Sequence, residues 1–290
     1  MSVATAVGES TDPTPDVPAA TLAAGRRRGT TVLAPLLLVA VLIAAWQALA
    51  DLRHIDPIVL PAPSDVATAA WDDRSLLFDG LLRTTSIVLA GIVIAAALGV
   101  LVGAALHRSP TARRAVEPLL VGSQAIPIPV LAPLLVIWLG FGLAPQLVLV
   151  VVVAFFPVAV ATRDALASLD PETDLVLRNL GASGWQRVRL VELRGALPGI
   201  VTGLRLAVVF AVIGAVFADS TGSTATTAAD PTSTGGLGRI VQDAIPQLAT
   251  DRAFAAIVLL AALALVLFWS LGAAERRLDP TSPRSLRRTP

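Results

Sequence analysis

The sequence has no cysteine, no lysine and no tyrosine, and only two histidines, His54 and His107. Without cysteine there is no disulfide framework and no thiolate chemistry. Without lysine a Walker A phosphate loop cannot be built, because that loop needs a lysine on the phosphates. The histidines sit at loop edges with neither metal-ligand nor triad spacing, so no metal, cofactor or catalytic residue is expected. Charge is also scarce, at 15% of residues, against about a quarter in soluble domains. A net charge of +1 predicts no nucleic-acid partner.

What the chain has in quantity is apolar sequence. It is 55% hydrophobic over 290 residues, with a mean hydropathy of +0.76. That composition points to an integral membrane protein. Six runs have about the 20 residues that a bilayer core demands: 31–50, 84–106, 118–139, 144–162, 196–218 and 254–273. Prolines at 127, 129 and 133 interrupt the third run. They argue against a straight, lipid-isolated helix and for one lining the bundle interior.

The 22 basic residues are all arginine, and their distribution sets an orientation. With the N-terminus inside, segments 1–30, 107–117, 163–195 and 274–290 hold sixteen arginines, against five in the outer segments. This obeys the positive-inside rule and predicts both termini in the cytoplasm. Residues 1–30 read as a disordered cytoplasmic tail, 31–275 as the membrane domain and 276–290 as a basic tail. The "RRRGT" before the first run and "ALA" at 48–50 resemble a leader with a cleavage site. The run is too long for a leader and five more come after it, so the first helix is expected to stay uncleaved. Residues 219–236 are expected to form an external loop, low in complexity from 221 onward.

One inner segment is polar and carefully punctuated: "LDPETDLVLRNLGASGWQRVRLVELRGALP". Asp170 is placed as an N-cap with Pro171 at the first helical position. Gly181 is placed as a C-terminal stop. Ser183 and Gln186 have capping-box spacing for a second short helix. Trp185, Val188 and Val191 then fall three apart along one face. Two readings fit such a device. It is either an amphipathic connector with its arginines on anionic lipid headgroups, or a docking knob with an aromatic anchor and an arginine rim.

These residues resemble the cytoplasmic signature of binding-protein-dependent ABC importer permeases. That signature is Glu-Ala-Ala, then a glycine, then Ile-x-Leu-Pro about ten residues on. Gly181 matches the glycine, Val191 the isoleucine and Leu193 the leucine. Leu175, Val176 and Leu177 replace Glu-Ala-Ala, and Arg194 replaces the proline. "SQAIPIPVLAPLLVIWLGFG" at 123–142, "TGLRLA" at 202–207 and "GGLGRIV" at 235–241 extend the likeness over about residues 65–275. It is greatest to the nitrate/sulfonate/taurine group, and within it to permeases for thiamine-precursor pyrimidines or riboflavin.

The resemblance implies an all-α, six-helix type I importer permease of the bacterial inner membrane, working as a pair of permease copies. Segment 170–194 would be the coupling segment seated in a cytoplasmic ATPase. Leu180, Gly181, Ala182, Trp185, Val188, Val191 and Leu193 would make the contact. A solute-binding protein would deliver a small solute to the outer mouth. Ser123, Gln124, Trp138, Phe155 and Phe156 are the expected translocation-path residues.

An ion-coupled secondary carrier is the rival. Such carriers hold an acid or histidine inside the membrane, and none falls inside the six runs. Arg205 is the deep charge, expected to snorkel or to cap carbonyls.

Overall fold

In the computed structural model the described residues are 30–53, 55–222 and 235–278. The expectations for the tail at 1–29, for His54, for most of the 219–236 loop and for the tail beyond 278 fall outside them. The described residues are helical, with no strand among them.

The first helix, α1, is Thr30–Leu52, with an apolar stretch from Leu37 onward whose side chains are largely exposed. A short α2, Pro63–Asp72, begins on a proline at its first turn and leads into the 35-residue α3, Arg74–Arg108. Then come α4, Pro110–Ser123, and α5, Ile128–Leu139. The 25-residue α6, Leu143–Ala167, is next. Beyond it lie α7, Pro171–Asn179, and α8, Gly184–Arg187, with a π-turn at Val188–Glu192. The 30-residue α9, Leu193–Gly222, continues directly from the turn. After the undescribed stretch come α10, Leu237–Ala244, and α11, Thr250–Leu278.

Among the described residues four helices are long and apolar enough to cross a membrane: α3, α6, α9 and α11. The α4–α5 pair makes a fifth if taken as one broken span. The expected third span, 118–139, is therefore two helices meeting at 99°. Pro127 lacks a backbone N–H and forces Ile126 out of the helical region. The freed groups close short turns instead: Gln124 N donates to Val121 O and Ala125 N to Gly122 O, both at 3.1 Å. The expectation that this span lines the interior holds for one face of α5 only. Ala132 and Leu135 are buried there, while α4 buries no residue within the chain.

The packed centre is α6 between α3 and α9. Its buried layer is made of small residues: Val88 and Ala95 of α3, Val150, Ala154 and Val158 of α6, and Ala207, Ala211 and Ala215 of α9. Many larger apolar side chains point outward instead, among them Leu98, Leu101, Leu265 and Trp269. That inversion suits a lipid solvent. Lipid offers no hydrophobic drive between helices, so association comes from close van der Waals packing of small residues. The approach is tight at Gly99 of α3, where a Cβ would lie 2.7 Å from Val158 Cβ.

α9 runs past the expected end of its span at 218, and Asp219 lies in the helix rather than at the start of a loop. It is fully buried. Thr84 Oγ1 donates to Asp219 Oδ2 at 3.3 Å and Gln146 Nε2 donates to Oδ1 at 3.4 Å. The Thr84 hydroxyl also accepts from Leu237 N at 2.9 Å. This polar knot ties α3, α6 and α9 to the start of α10. At the same end Asp73 receives two guanidinium bonds from Arg252, the shorter at 2.5 Å. At the opposite end Arg205 is partnered, contrary to the snorkelling expectation. Its Nη1 bonds Glu275 Oε2 at 3.1 Å, and its guanidinium lies 4.2 Å over the Phe268 ring. A deep arginine costs least when a carboxylate and a ring face replace its water.

Candidate functional site

The punctuated segment forms as its sequence dictates. Asp170 Oδ1 accepts from Glu172 N at 3.0 Å and caps α7. Thr173 Oγ1 donates to Asp170 Oδ2 at 3.2 Å. At the other end Gly181 has φ +76°, a left-handed conformation that a Cβ disfavours. Ala182 N then reaches back to Leu177 O and Leu180 N to Val176 O, each at 3.0 Å. This six-to-one closure satisfies the carbonyls that the helix end would orphan. Two residues later Ser183 starts the next helix. Its Oγ accepts from Gln186 N at 3.3 Å, and its own N–H donates to Gln186 Oε1 at 2.8 Å. The capping box is complete.

Beyond this point the structure departs from expectation. Trp185, Val188 and Val191 do not form one exposed row. α8 ends at Arg187, and the chain passes into a π-turn in which Leu193 N bonds Val188 O, five residues back. The extra residue per turn breaks the three-residue repeat. Trp185 is 71% exposed, whereas Val188 and Val191 are half-buried. Val191 faces a cleft of about 570 Å³ with His107, Leu166 and Leu169. Leu180, at 76%, and Leu193 are exposed, and Ala182 is half-buried.

The sequence leaves open which side chains ahead of the glycine make contact. Leu175 and Val176 occupy positions where the motif carries Glu and Ala, and both are exposed. The apolar surface of the segment is therefore Leu175, Val176, Leu180, Trp185 and Leu193.

The five residues expected on a translocation path are dispersed. Ser123 and Gln124 stand exposed at the α4–α5 break, where Ser123 Oγ donates to Leu120 O at 2.7 Å. Trp138 is exposed near the end of α5. Phe155 packs on the central core. Phe156 lines a cavity of about 100 Å³ with Glu117, Leu120 and Arg163. Within this chain the five side chains are not gathered into one cavity.

Long apolar helices packed through small residues, with a capped and partly apolar segment standing between two of them, define a polytopic membrane transport component. Residues 78–280 match the family of binding-protein-dependent transport system inner membrane components, and the chain belongs to that family. A probable ABC transporter permease of Haemophilus influenzae is 32% identical over 83% of this chain and 94% of its own length. The formylaminopyrimidine transport permease of Halalkalibacterium halodurans is 31% identical over 88% and 98%. The taurine transport permease of Escherichia coli is 33% identical over 83% and 86%. Inward-facing structures of the MetNI methionine ABC transporter share the fold, with a TM-score of 0.61 at 21% identity, covering 72% of this chain and 98% of theirs. The chain is thus a multi-pass inner-membrane permease subunit of an ABC importer for small solutes, not an enzyme. Its family implies an ATPase and a solute-binding protein as partners.

Proposed function

We propose that two copies of this chain form the translocation path of an ATP-driven importer, with both termini of each copy in the cytoplasm and lipid around the outward apolar faces. Residues 170–194 dock into a cytoplasmic ATPase, and a solute-binding protein presents the solute at the opposite face. The solute is a small planar or anionic compound: a thiamine-precursor pyrimidine, riboflavin, or a sulfonate- or nitrate-type anion. The solutes carried by the relatives support that range, which includes a riboflavin permease of Chloroflexus aurantiacus, 31% identical over 82% of this chain. Ser123, Gln124, Trp138, Phe155 and Phe156 remain path candidates in the paired state, with the α4–α5 break as the place where polar backbone is reachable.

The observation that carries the docking assignment is the exposure of Leu175, Val176, Leu180 and Trp185 around the left-handed Gly181. Such a surface on a rigidly capped elbow suits a protein groove. Replacing Trp185 by alanine removes a central aromatic anchor. That truncation often costs 2 kcal/mol or more, roughly thirtyfold in affinity. Trp185→Ala is expected to insert normally and to co-purify poorly with the partner ATPase. If a headgroup anchor is the true role, ATPase retention stays at the wild-type level and any defect follows lipid composition. Solute identity is read by binding of formylaminopyrimidine, riboflavin and taurine to the partner binding protein.

A further inference from the structure

Docking explains how a partner grips residues 170–194, not how a displacement reaches helices outside that segment. Chain continuity joins the segment to two helices. α6 leads into it through Ser168–Asp170, and the π-turn leads out of it into α9. α3 has no such continuity. Its last residue, Arg108, instead donates from Nη2 to Glu192 Oε2 at 2.6 Å, across 84 residues of sequence. Glu192 closes the π-turn, whose inserted residue rotates Glu192 and the start of α9 relative to Trp185. The turn thus leaves the indole exposed while Glu192 reaches α3. Both residues of the pair line the cleft that Val191 and Asp170 also line. A second tie lies across the α3–α4 corner, where Arg163 of α6 pairs with Glu117 of α4 and with Asp164 at 2.5 Å. The corner from Arg108 to Glu117 is therefore strapped to the coupling segment on one side and to α6 on the other.

We propose that Glu192 is a positioning residue whose ion pair with Arg108 makes α3 follow the coupling segment when a bound ATPase moves it. The proposal rests on the docking reading of residues 170–194. The side chains are 46% and 25% exposed, so the pair adds little to folding stability. Its contribution is mechanical: it removes the freedom of α3 to lag behind. The matched motif assigns nothing to the residue between Val191 and Leu193.

The absence of native cysteine allows a direct test. Ala105 of α3 and Glu172 of α7 are exposed and suit spin labels after Ala105→Cys and Glu172→Cys. The permease–ATPase complex is placed in nanodiscs, with labelled chains diluted by unlabelled ones to isolate the within-chain distance. That distance is measured by pulsed EPR without nucleotide and with ATP plus vanadate. With Glu192 intact it is expected to stay constant to about 2 Å between the states, as for elements moving together. With Glu192→Gln it is expected to change by about 4 Å or more, the scale of a helix slipping past its neighbour. Arg108→Glu alone should slip likewise, and Arg108→Glu with Glu192→Arg should restore the constant distance. Arg108→Glu lies outside residues 170–194 and should leave ATPase co-purification unchanged. A constant distance in Glu192→Gln with normal co-purification overturns the strap alone, as does a changing distance with Glu192 intact. Failure of the unsubstituted chain to retain the ATPase overturns the docking reading, and the strap with it.

Discussion

Thr84 is the residue on which the buried polar knot turns. Its hydroxyl donates to Asp219 and accepts from the Leu237 N–H, so one oxygen serves two helices and the start of a third. Valine has nearly the same shape but would orphan the Leu237 N–H and leave Gln146 as the one side-chain donor to Asp219 among those described. Leaving a buried donor or acceptor unsatisfied costs about 1–3 kcal/mol. Thr84→Val should therefore lower the thermal midpoint of the purified permease by a few degrees, while Thr84→Ser should stay near the parent. A fluorescence-detected melt of the three proteins checks this; equal midpoints for valine and threonine would remove the knot's structural role. Gly181 gives a second residue-scale expectation. Nothing lies within 4 Å of its missing Cβ, so a substitution there meets backbone strain and no steric neighbour. Alanine should cost on the order of 1–2 kcal/mol through the left-handed conformation alone. Aspartate should cost more, since it adds a negative charge at the C-terminus of α7, where the helix dipole disfavours it. ATPase pull-downs should rank parent, Gly181→Ala, Gly181→Asp in decreasing yield. Caps such as Asp170 and Ser183 were legible in the sequence because donor and acceptor lie within three residues. The burial of Asp219 was not, because its partners are 135 and 73 residues away and it stands where an apolar run gives way to a polar loop.

At the scale of elements, helix identity was largely readable and helix interruption was not. The apolar runs around 84–106, 144–162, 196–218 and 254–273 all became helices, because length and composition suffice for that. The prolines between 127 and 133 announced a disturbed third span, but the 99° bend depends on which carbonyls find partners after the break. The π-turn has no residue signature at all. The three-residue spacing of Trp185, Val188 and Val191 looked like one helix face until an inserted residue split it. The α3–α6 seam offers a test of packing. Gly99→Ala would push a methyl group against Val158, at 2.7 Å from its Cβ. Overpacking of this kind typically costs about 1–3 kcal/mol. Val158→Ala opens room at the same spot, so the double substitution should recover part of the loss. A thermal-stability double-mutant cycle would show it; strictly additive losses would mean that the two residues do not share the contact.

The whole molecule depends on others for its energy. A chain without lysine has no Walker A site, so the purified permease should hydrolyse no ATP until its ATPase is added. A malachite-green phosphate assay on the isolated chain, with contaminating ATPases excluded, decides the matter. Orientation is equally testable. Reporter tags at residues 10, 112 and 285 should report cytoplasm and a tag at 228 the outside; an outside report at 112 would overturn the arginine argument. The family and helical class were legible from composition, span lengths and the Gly181 motif. The dispersal of Phe155 and Phe156 from Trp138 was not, because aromatic residues in apolar runs look alike before packing assigns them.

α3 is longer than a membrane is thick. Its 35 residues span about 52 Å at 1.5 Å each, against roughly 30 Å of hydrocarbon. The middle, around Val88 and Ala95, is gripped by α6. Such a helix is a lever with a fulcrum. A tilt of about 10° about its midpoint sweeps the Arg108 end through on the order of 4–5 Å, as the geometry of a 52 Å rod requires. The same tilt barely moves the residues at the fulcrum. A small rocking of the packed centre and a large stroke at the Arg108 end are then one movement, and the tight approach of α6 at Gly91, midway along the helix, is what keeps the pivot from slipping.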